Sequence, residues 1–297
     1  MLLRAIDSEP ADATARLKQL RINPLDMQNH PPAMRFVDGS GKQIDTIAPD
    51  DYRYFEQLGL VVQADSAGAL TSLEHFYLAE LGMGSGVIFA PDQKMAALLA
   101  EAAAIGQALV RMSSFASTDP AAAVYPDRHW RWAFLGGSHT FDAQGYANPD
   151  RRSAFAYAAT GNTPAMTSQV GGAGCQYYLD ALRRLWGLPG RWPTLQPPPA
   201  PDIPVKDFWS VTVYVAGSRS MLRNGTRFPS VSQYTDPHFN AGGSIDIHFG
   251  PDAPQGREQN WIRTVPGKGW FPILRFYGPL QPFFTKTWRP DDIQCTQ

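Results

Sequence analysis

This chain lacks any excess of charge of one sign. Lys and Arg number 26 against 27 Asp and Glu, a formal net charge of −1, and no basic block of the kind that tracks phosphates occurs. Nucleic acid is therefore not an expected partner. Cysteine is nearly absent: with Cys175 and Cys295 alone, a disulfide framework is excluded and one bridge is the most that can form. No run of about 18 apolar residues appears, so no membrane span is expected. The first residues, MLLRAIDSEPADATARLKQL, reach acidic side chains within ten positions and have no apolar core of signal-peptide length, which predicts a cytoplasmic chain or a mature form. Gly-x-Ser-x-Gly, a Walker A loop and a dinucleotide fingerprint are all lacking, since GGAGCQ has no strand-then-helix spacing. No cofactor is expected.

What is present leans toward β structure. The 297 residues can bury a substantial core without staples. The 26 Gly, 26 Pro and 12% aromatics against 18% charged residues favour turn-rich β architecture over a helical bundle.

The first 120 residues read as helical. A short helix is expected around Ala11–Leu20, before Pro24, Pro31 and Pro32. Between Pro49 and Gly59, Tyr52, Phe55 and Leu58 recur every three residues behind Asp50 and Asp51. Ser72–Leu81 is stopped by Gly82 and Gly84. Pro91–Met112, rich in Ala and Leu, is the longest expected helix, and it should pack across the open face of a sheet. Asn148-Pro149-Asp150 then caps a short helix ended by Gly161. The proline-rich stretch from Leu188 to Pro204 reads as an extended surface connector.

After that stretch the period becomes two. Phe208, Ser210, Thr212 and Tyr214 share one face, and Trp209, Val211, Val213 and Val215 the other. Ile245, Ile247 and Phe249 alternate with Asp246 and His248. GWFPILRFYG is apolar on both faces except at Arg275, as a buried central strand would be. Residues 121–297 are thus expected to form an antiparallel β-sandwich or jelly roll, making the chain mostly β with added helices over residues 1–120.

These segments also carry a family resemblance. ATGNTPAM (159–166), GAGCQY (172–177), FWSVTVY (208–214), SRSML (218–222), GSIDIHFGPDAP (243–254), NWIRTVPGKGWFPILRFYGP (260–279) and KTWRP (286–290) resemble the bacterial paired domains of unknown function DUF1254 and DUF1214. The likeness runs from roughly residue 40 to 290. It implies a complete second domain with a jelly-roll sandwich, preceded by helices that link it to a largely missing first one. Two positions depart from the pattern: Val215 stands where an Asp is common, and Cys175 where a Ser is. The family carries no settled activity.

Several residues could carry chemistry. Asp246 and His248, on one strand face, with His238 nearby, are the best local set for a metal, although alternating polar residues ordinarily face water; no metal is expected. The stretch DRHWRWAFLGGSHTF, with Asp127, Arg128, His129, Arg131 and His139, offers an aromatic floor with charged rims, as sugar sites do. The simpler account has Trp130, Trp132 and Phe134 alternating into the core. Cys175 is simplest as a buried inert thiol. Arg219 and Arg275 could clamp an anion bidentately, the competing account being internal ion pairs with Asp246 or Glu258. Tyr157, Trp209, Tyr214, Asn260 and Trp261 would supply stacking and hydrogen bonds around them. Asn224-Gly225-Thr226 reads as a hairpin turn rather than a glycosylation acceptor.

Two functions are consistent with these residues. One is a module that binds a polar, carbohydrate-like small molecule in a sandwich cleft. The other is a cofactor-independent hydrolase, lyase or isomerase-cyclase, with His139 or His248 as general base and Arg219 or Arg275 stabilising negative charge. Association into a homo-oligomer is expected from exposed sheet edges and an uncovered face.

Overall fold

The computed structural model describes residues 9–23, 27–39, 41–42, 47–65, 70–134, 137–143, 145–158, 172–177, 192–195 and 203–296. It divides into two compact units, residues 1–46 and 47–297. The first contains helix α1 (Pro10–Gln19), which starts on a proline and carries Arg16 and Lys18 in its last turn, where they oppose the helix dipole.

The second unit opens with α2 (Arg53–Ala64), α3 (Ser72–Glu80) and α4 (Gln93–Phe115). The starts of α3 and α4 have local causes. Thr71 and Glu74 form a reciprocal capping box on α3. The Asp92 carboxylate accepts from the Met95 amide at 2.7 Å on α4. Nothing after Met112 breaks the helical run until Ala116, so α4 extends to Phe115, three residues beyond the expected end. Helix α5 (Pro149–Ala158) begins where Asn148 Oδ1 accepts from the amides of Asp150 and Arg151. Its expected stop, Gly161, lies outside the described residues.

The expectation that α4 lies across a sheet is not met. Its partners are α5 and α2, and the Ser114 hydroxyl bonds it to α5 through the Ala154 carbonyl at 3.0 Å. Its last residue reaches a sheet: the Phe115 ring lies 4.9 Å from that of Phe271.

Eleven strands are described: β1 (Trp130–Trp132), β2 (Asp142–Ala143), β3 (Tyr146–Ala147), β4 (Gly172–Tyr177), β5 (Trp192–Leu195), β6 (Val205–Val215), β7 (Ser230–Ser232), β8 (Ile247–Gly250), β9 (Trp261–Arg263), β10 (Trp270–Pro279) and β11 (Ile293–Thr296). A short helix, α6 (Gln281–Phe284), precedes β11. One sheet has the order β1-β4-β10-β6-β7, a second β11-β5-β8-β9, and β2 pairs with β3. The segment GWFPILRFYG is the central strand it was expected to be. β5 falls inside the proline-rich stretch read as a connector, because paired neighbours on both sides order it.

Two expectations are corrected. The sheets are not wholly antiparallel, since β8 and β9 run parallel, with the irregular stretch 251–260 returning the chain to the starting end. Nor is the chain mostly β: helix occupies more of the described residues than strand. The two-residue period of the late strands assigned their faces correctly. Val211, Val213, Ile247 and Phe249 are at most 1% exposed, and the two larger sheets share one core in which Phe249 of β8 stacks on Trp270 of β10 at 5.0 Å. Each such aromatic, fully buried, contributes about 2–3 kcal/mol of transfer free energy.

Gly278 interrupts the β10–β6 register between Tyr277 and Pro279 with φ +61°. A Cβ there would stand 2.7 Å from Asp207 Oδ2 and 3.0 Å from Lys206 Cβ. Gly278→Ala combines a left-handed backbone with a steric conflict and is expected to cost about 1–3 kcal/mol in urea unfolding. An unchanged midpoint would show that the bulge can relax at no cost.

Candidate functional site

Between α4, α5 and the segment leading into α2 lies a cavity of about 420 Å³, within the size range of small-molecule sites. Its walls are small and apolar: Ala102, Ala103, Gly106 and Val110 of α4, Ala156 of α5, and Ala48, Pro49 and Phe55 from the entrance to α2. The polar groups are those of Tyr54, Gln107, Ser153 and Tyr157. No charged side chain lines it among the described residues. Gln107 Nε2 and the Tyr157 hydroxyl stand 3.5 Å apart, so the two form one polar corner in a mostly apolar space.

Tyr157 is positioned from the sheet side. Arg219 lies 3.9 Å above its ring, and Arg219 Nε donates to its carbonyl at 3.0 Å. Arg219 itself adopts φ +56°, an uncommon backbone for a non-glycine residue. It is held there by its amide bond to the Val215 carbonyl at 2.7 Å and by Nη1 on the Gly217 carbonyl. The Tyr157 ring meets Phe115 edge-on, Phe115 meets Phe271, and Phe271 stacks with Tyr214, over which Arg275 lies at 5.2 Å. Four residues singled out in the sequence, Tyr157, Tyr214, Arg219 and Arg275, are thus joined through one aromatic chain. The ion pairs expected with Asp246 or Glu258 are not formed. Neither arginine meets a carboxylate among the described residues, because each guanidinium is spent on an aromatic face, and for Arg219 on carbonyls as well.

The other singled-out residues lie elsewhere. Trp209 is 4% exposed in the shared core. Asn260, fully buried, is a strut: its amide nitrogen donates to the carbonyls of His238 and Asp246, and its oxygen accepts from the His238 amide at 2.7 Å. Trp261 Nε1 donates to the Gly250 carbonyl, and His139 belongs to the turn before β2. None of the four lines the cavity, and neither does His248. No group of three or more metal-ligating side chains is found among the described residues. Asn224 is buried, donating to the Arg263 carbonyl and accepting from Thr226, with Gly225 at φ +87°; residues 224–227 form a bend, and the hairpin reversal out of β6 lies earlier, at 216–219, where Val215 pairs with Ser220 and Tyr214 with Met221.

The tryptophan-rich stretch packs inward. Trp130 is fully buried with Nε1 on the Asp291 carbonyl, and Phe134 stacks on Phe155 at 4.3 Å. Its charges bind the C-terminal segment, Arg128 to Asp291, His129 to Asp292 at 2.7 Å and Asp127 to Arg289, while Arg128 also pairs with the adjacent Asp127. Cys175 is a free thiol, fully buried, and burial raises its pKa above the ordinary thiol range, which disfavours the thiolate. Lys286 was not singled out in the sequence. Its Nζ is buried without a hydrogen-bond partner, 4.2 Å from the Trp132 ring and 5.0 Å from Phe283, and its pKa is lowered by desolvation.

Burial also lowers the His248 pKa from 6.5; Asp246 partly opposes this and Arg257 adds to it. A base whose folded pKa is depressed contributes stability that is complete above its unfolded pKa, about 6.5, and lost as pH falls toward the folded value. His248→Gln is therefore expected to lose less stability than the wild type between about pH 7 and pH 5 in parallel urea titrations. Identical losses would show that the imidazole charges freely in the folded state.

The sequence reading missed Gln107, Ser153 and the small residues of α4. The available signal was Gly106 inside an otherwise strong helix, a residue that costs about 1 kcal/mol there relative to Ala.

Comparison with known proteins gives a partial family match. No curated protein matches the chain. Among solved structures it is similar to the VPA0106 protein of Vibrio parahaemolyticus, with 20% identity and a TM-score of 0.45, over 99% of this chain and 67% of that one. It is also similar to an uncharacterised protein of Burkholderia cenocepacia, with 14% identity and a TM-score of 0.36, over 79% and 46% of the two chains. Of the two domain families named from the sequence motifs, the second is found and the first is not shown: residues 194–281 match the family described as "Protein of unknown function (DUF1214)".

Proposed function

We propose that this chain binds a small molecule in the cavity between α4 and α5, and that the ligand has an apolar body with one uncharged polar end. The observation that carries this reading is the wall itself: alanines, a glycine, proline, valine and phenylalanine, with a Gln107–Tyr157 pair and the hydroxyls of Tyr54 and Ser153 as its polar side-chain groups among the described residues. An unpaired ionic group in such a space would cost several kcal/mol, whereas a hydroxyl or carbonyl would find both a donor and an acceptor. This departs from the sequence expectation of a polar, carbohydrate-like ligand in a sandwich cleft, because the cavity lies among helices and a sugar's hydroxyls outnumber the polar side chains that line it among the described residues. It also favours binding over turnover, since among the described residues neither a histidine nor a carboxylate borders the space to act as general base.

The test is a fluorescence titration with 1-aminoanthracene, a neutral polycyclic probe. Saturable binding, displaced by 4-octylphenol and not by glucose or octanoate, is the expected result. Gln107→Leu should weaken octylphenol about tenfold, about 1.4 kcal/mol, while weakening the probe less. Displacement by glucose in preference to octylphenol would reject the proposed ligand class.

A further inference from the structure

The outer face of the five-stranded sheet, turned away from the shared core, has a polar centre. Its rows pair Tyr277 with Phe208, Arg275 with Ser210, Ile273 with Thr212 and Phe271 with Tyr214, and β7 continues two of them with Ser232 and Ser230. Arg275 is the one charged side chain in these rows of β10, β6 and β7, and it is half-buried. It meets the Tyr214 ring at 5.2 Å, but a ring face is no substitute for oxygen, and no hydrogen bond or ion pair engages its five N–H donors among the described residues. A guanidinium partly drawn out of water with no oxygen acceptor gains by taking an anion.

The space beside Arg275 has a shape. Phe208 stacks on one face of the Tyr277 ring at 4.0 Å and 11°, so the other face turns toward β4, where the positions opposite Tyr277 and Arg275 are Gly172 and Gly174. Neither glycine sets a side chain on the sheet surface, and glycine inside a strand often marks where a ligand comes close. Tyr277 and Arg275 stand about 7 Å apart along this strip, two residues on one face of β10. At one end Phe115 of α4 covers Phe271, and at the other Tyr277 is 39% exposed, which is the open end. We propose that Arg275 anchors a second ligand site, apart from the cavity between α4 and α5, and that it takes an aromatic monocarboxylate. The ring lies over Gly172 against the free face of Tyr277, and the carboxylate accepts two parallel N–H bonds from Arg275. One cation with no carboxylate in its rows suits a single negative charge.

Calorimetric titration of the full chain with 2-naphthoate is expected to show one saturable site, with the same affinity whether or not 4-octylphenol is present, which separates this site from the cavity. In the unaltered protein 2-naphthamide, equal in shape but uncharged, should bind at least about tenfold more weakly. Arg275→Met keeps the apolar stem and should weaken 2-naphthoate at least about tenfold. Gly172→Val, a residue that strands favour, fills the strip and should weaken it by a similar factor without touching the arginine. Absence of 2-naphthoate binding, equal affinity for the amide, tighter binding of 2-naphthyl phosphate, displacement by 4-octylphenol, or undiminished affinity in either folded variant would each overturn the proposal.

Discussion

Replacing Phe271 with alanine is expected to destabilise the protein by about 3–5 kcal/mol, the range for an aromatic removed from a packed core. Phe271 is 1% exposed and sits in β10, the central strand of the five-stranded sheet. Its ring meets Phe115 at 4.9 Å and Tyr214 at 5.7 Å, so it is one contact by which the end of α4 is seated on the sheet. The loss should therefore include more than transfer free energy, because Phe115 and the Tyr157 ring packed on it lose a support and the cavity wall loosens. Chemical denaturation measures the first effect, and the weakened affinity of the folded variant for 1-aminoanthracene measures the second. A variant with undiminished stability would mean that the helices and the sheet are packed independently.

Gly106→Leu is expected to separate stability from binding. No atom lies within 4 Å of a Cβ built at Gly106, so leucine meets no steric conflict at its base and extends into the cavity. Replacing a mid-helix glycine with a strong helix former should stabilise α4 by up to about 1 kcal/mol. Affinity for the probe should fall about 100-fold, about 2.8 kcal/mol, because the side chain takes the ligand's place. A higher melting temperature together with lost binding is an outcome that general damage cannot imitate. Retained binding would place the ligand elsewhere.

Fold and site were unequally legible in the sequence. The strands were readable because a half-buried strand must alternate: Trp209, Val211 and Val213 turn inward between Ser210, Thr212 and Tyr214, and the chain records that directly. The parallel pairing of β8 with β9 was not readable, since alternation reports which face a residue takes and not the direction of its neighbour. β5 was hidden because Pro193 lies within it, and proline ordinarily argues against a strand. Of the residues the sequence offers as an anion clamp and its surroundings, Tyr157 borders the cavity and is linked through ring contacts to Arg219, Tyr214 and Arg275, which do not line it. Trp209, Asn260 and Trp261 are taken up inside the fold. The cavity went unseen because it is made by what is small: Ala102, Ala103, Gly106 and Ala156 create space by omission, and a list of chemically active residues cannot register that.

The most direct measurement uses the alanines themselves. With alanine methyls selectively labelled with ¹³C, intermolecular NOEs from bound 4-octylphenol are expected at Ala102, Ala103 and Ala156, which line the cavity. Contacts confined to Ala97, Ala104 and Ala108, which are exposed on α4 away from it, or no contacts at all, would contradict the account.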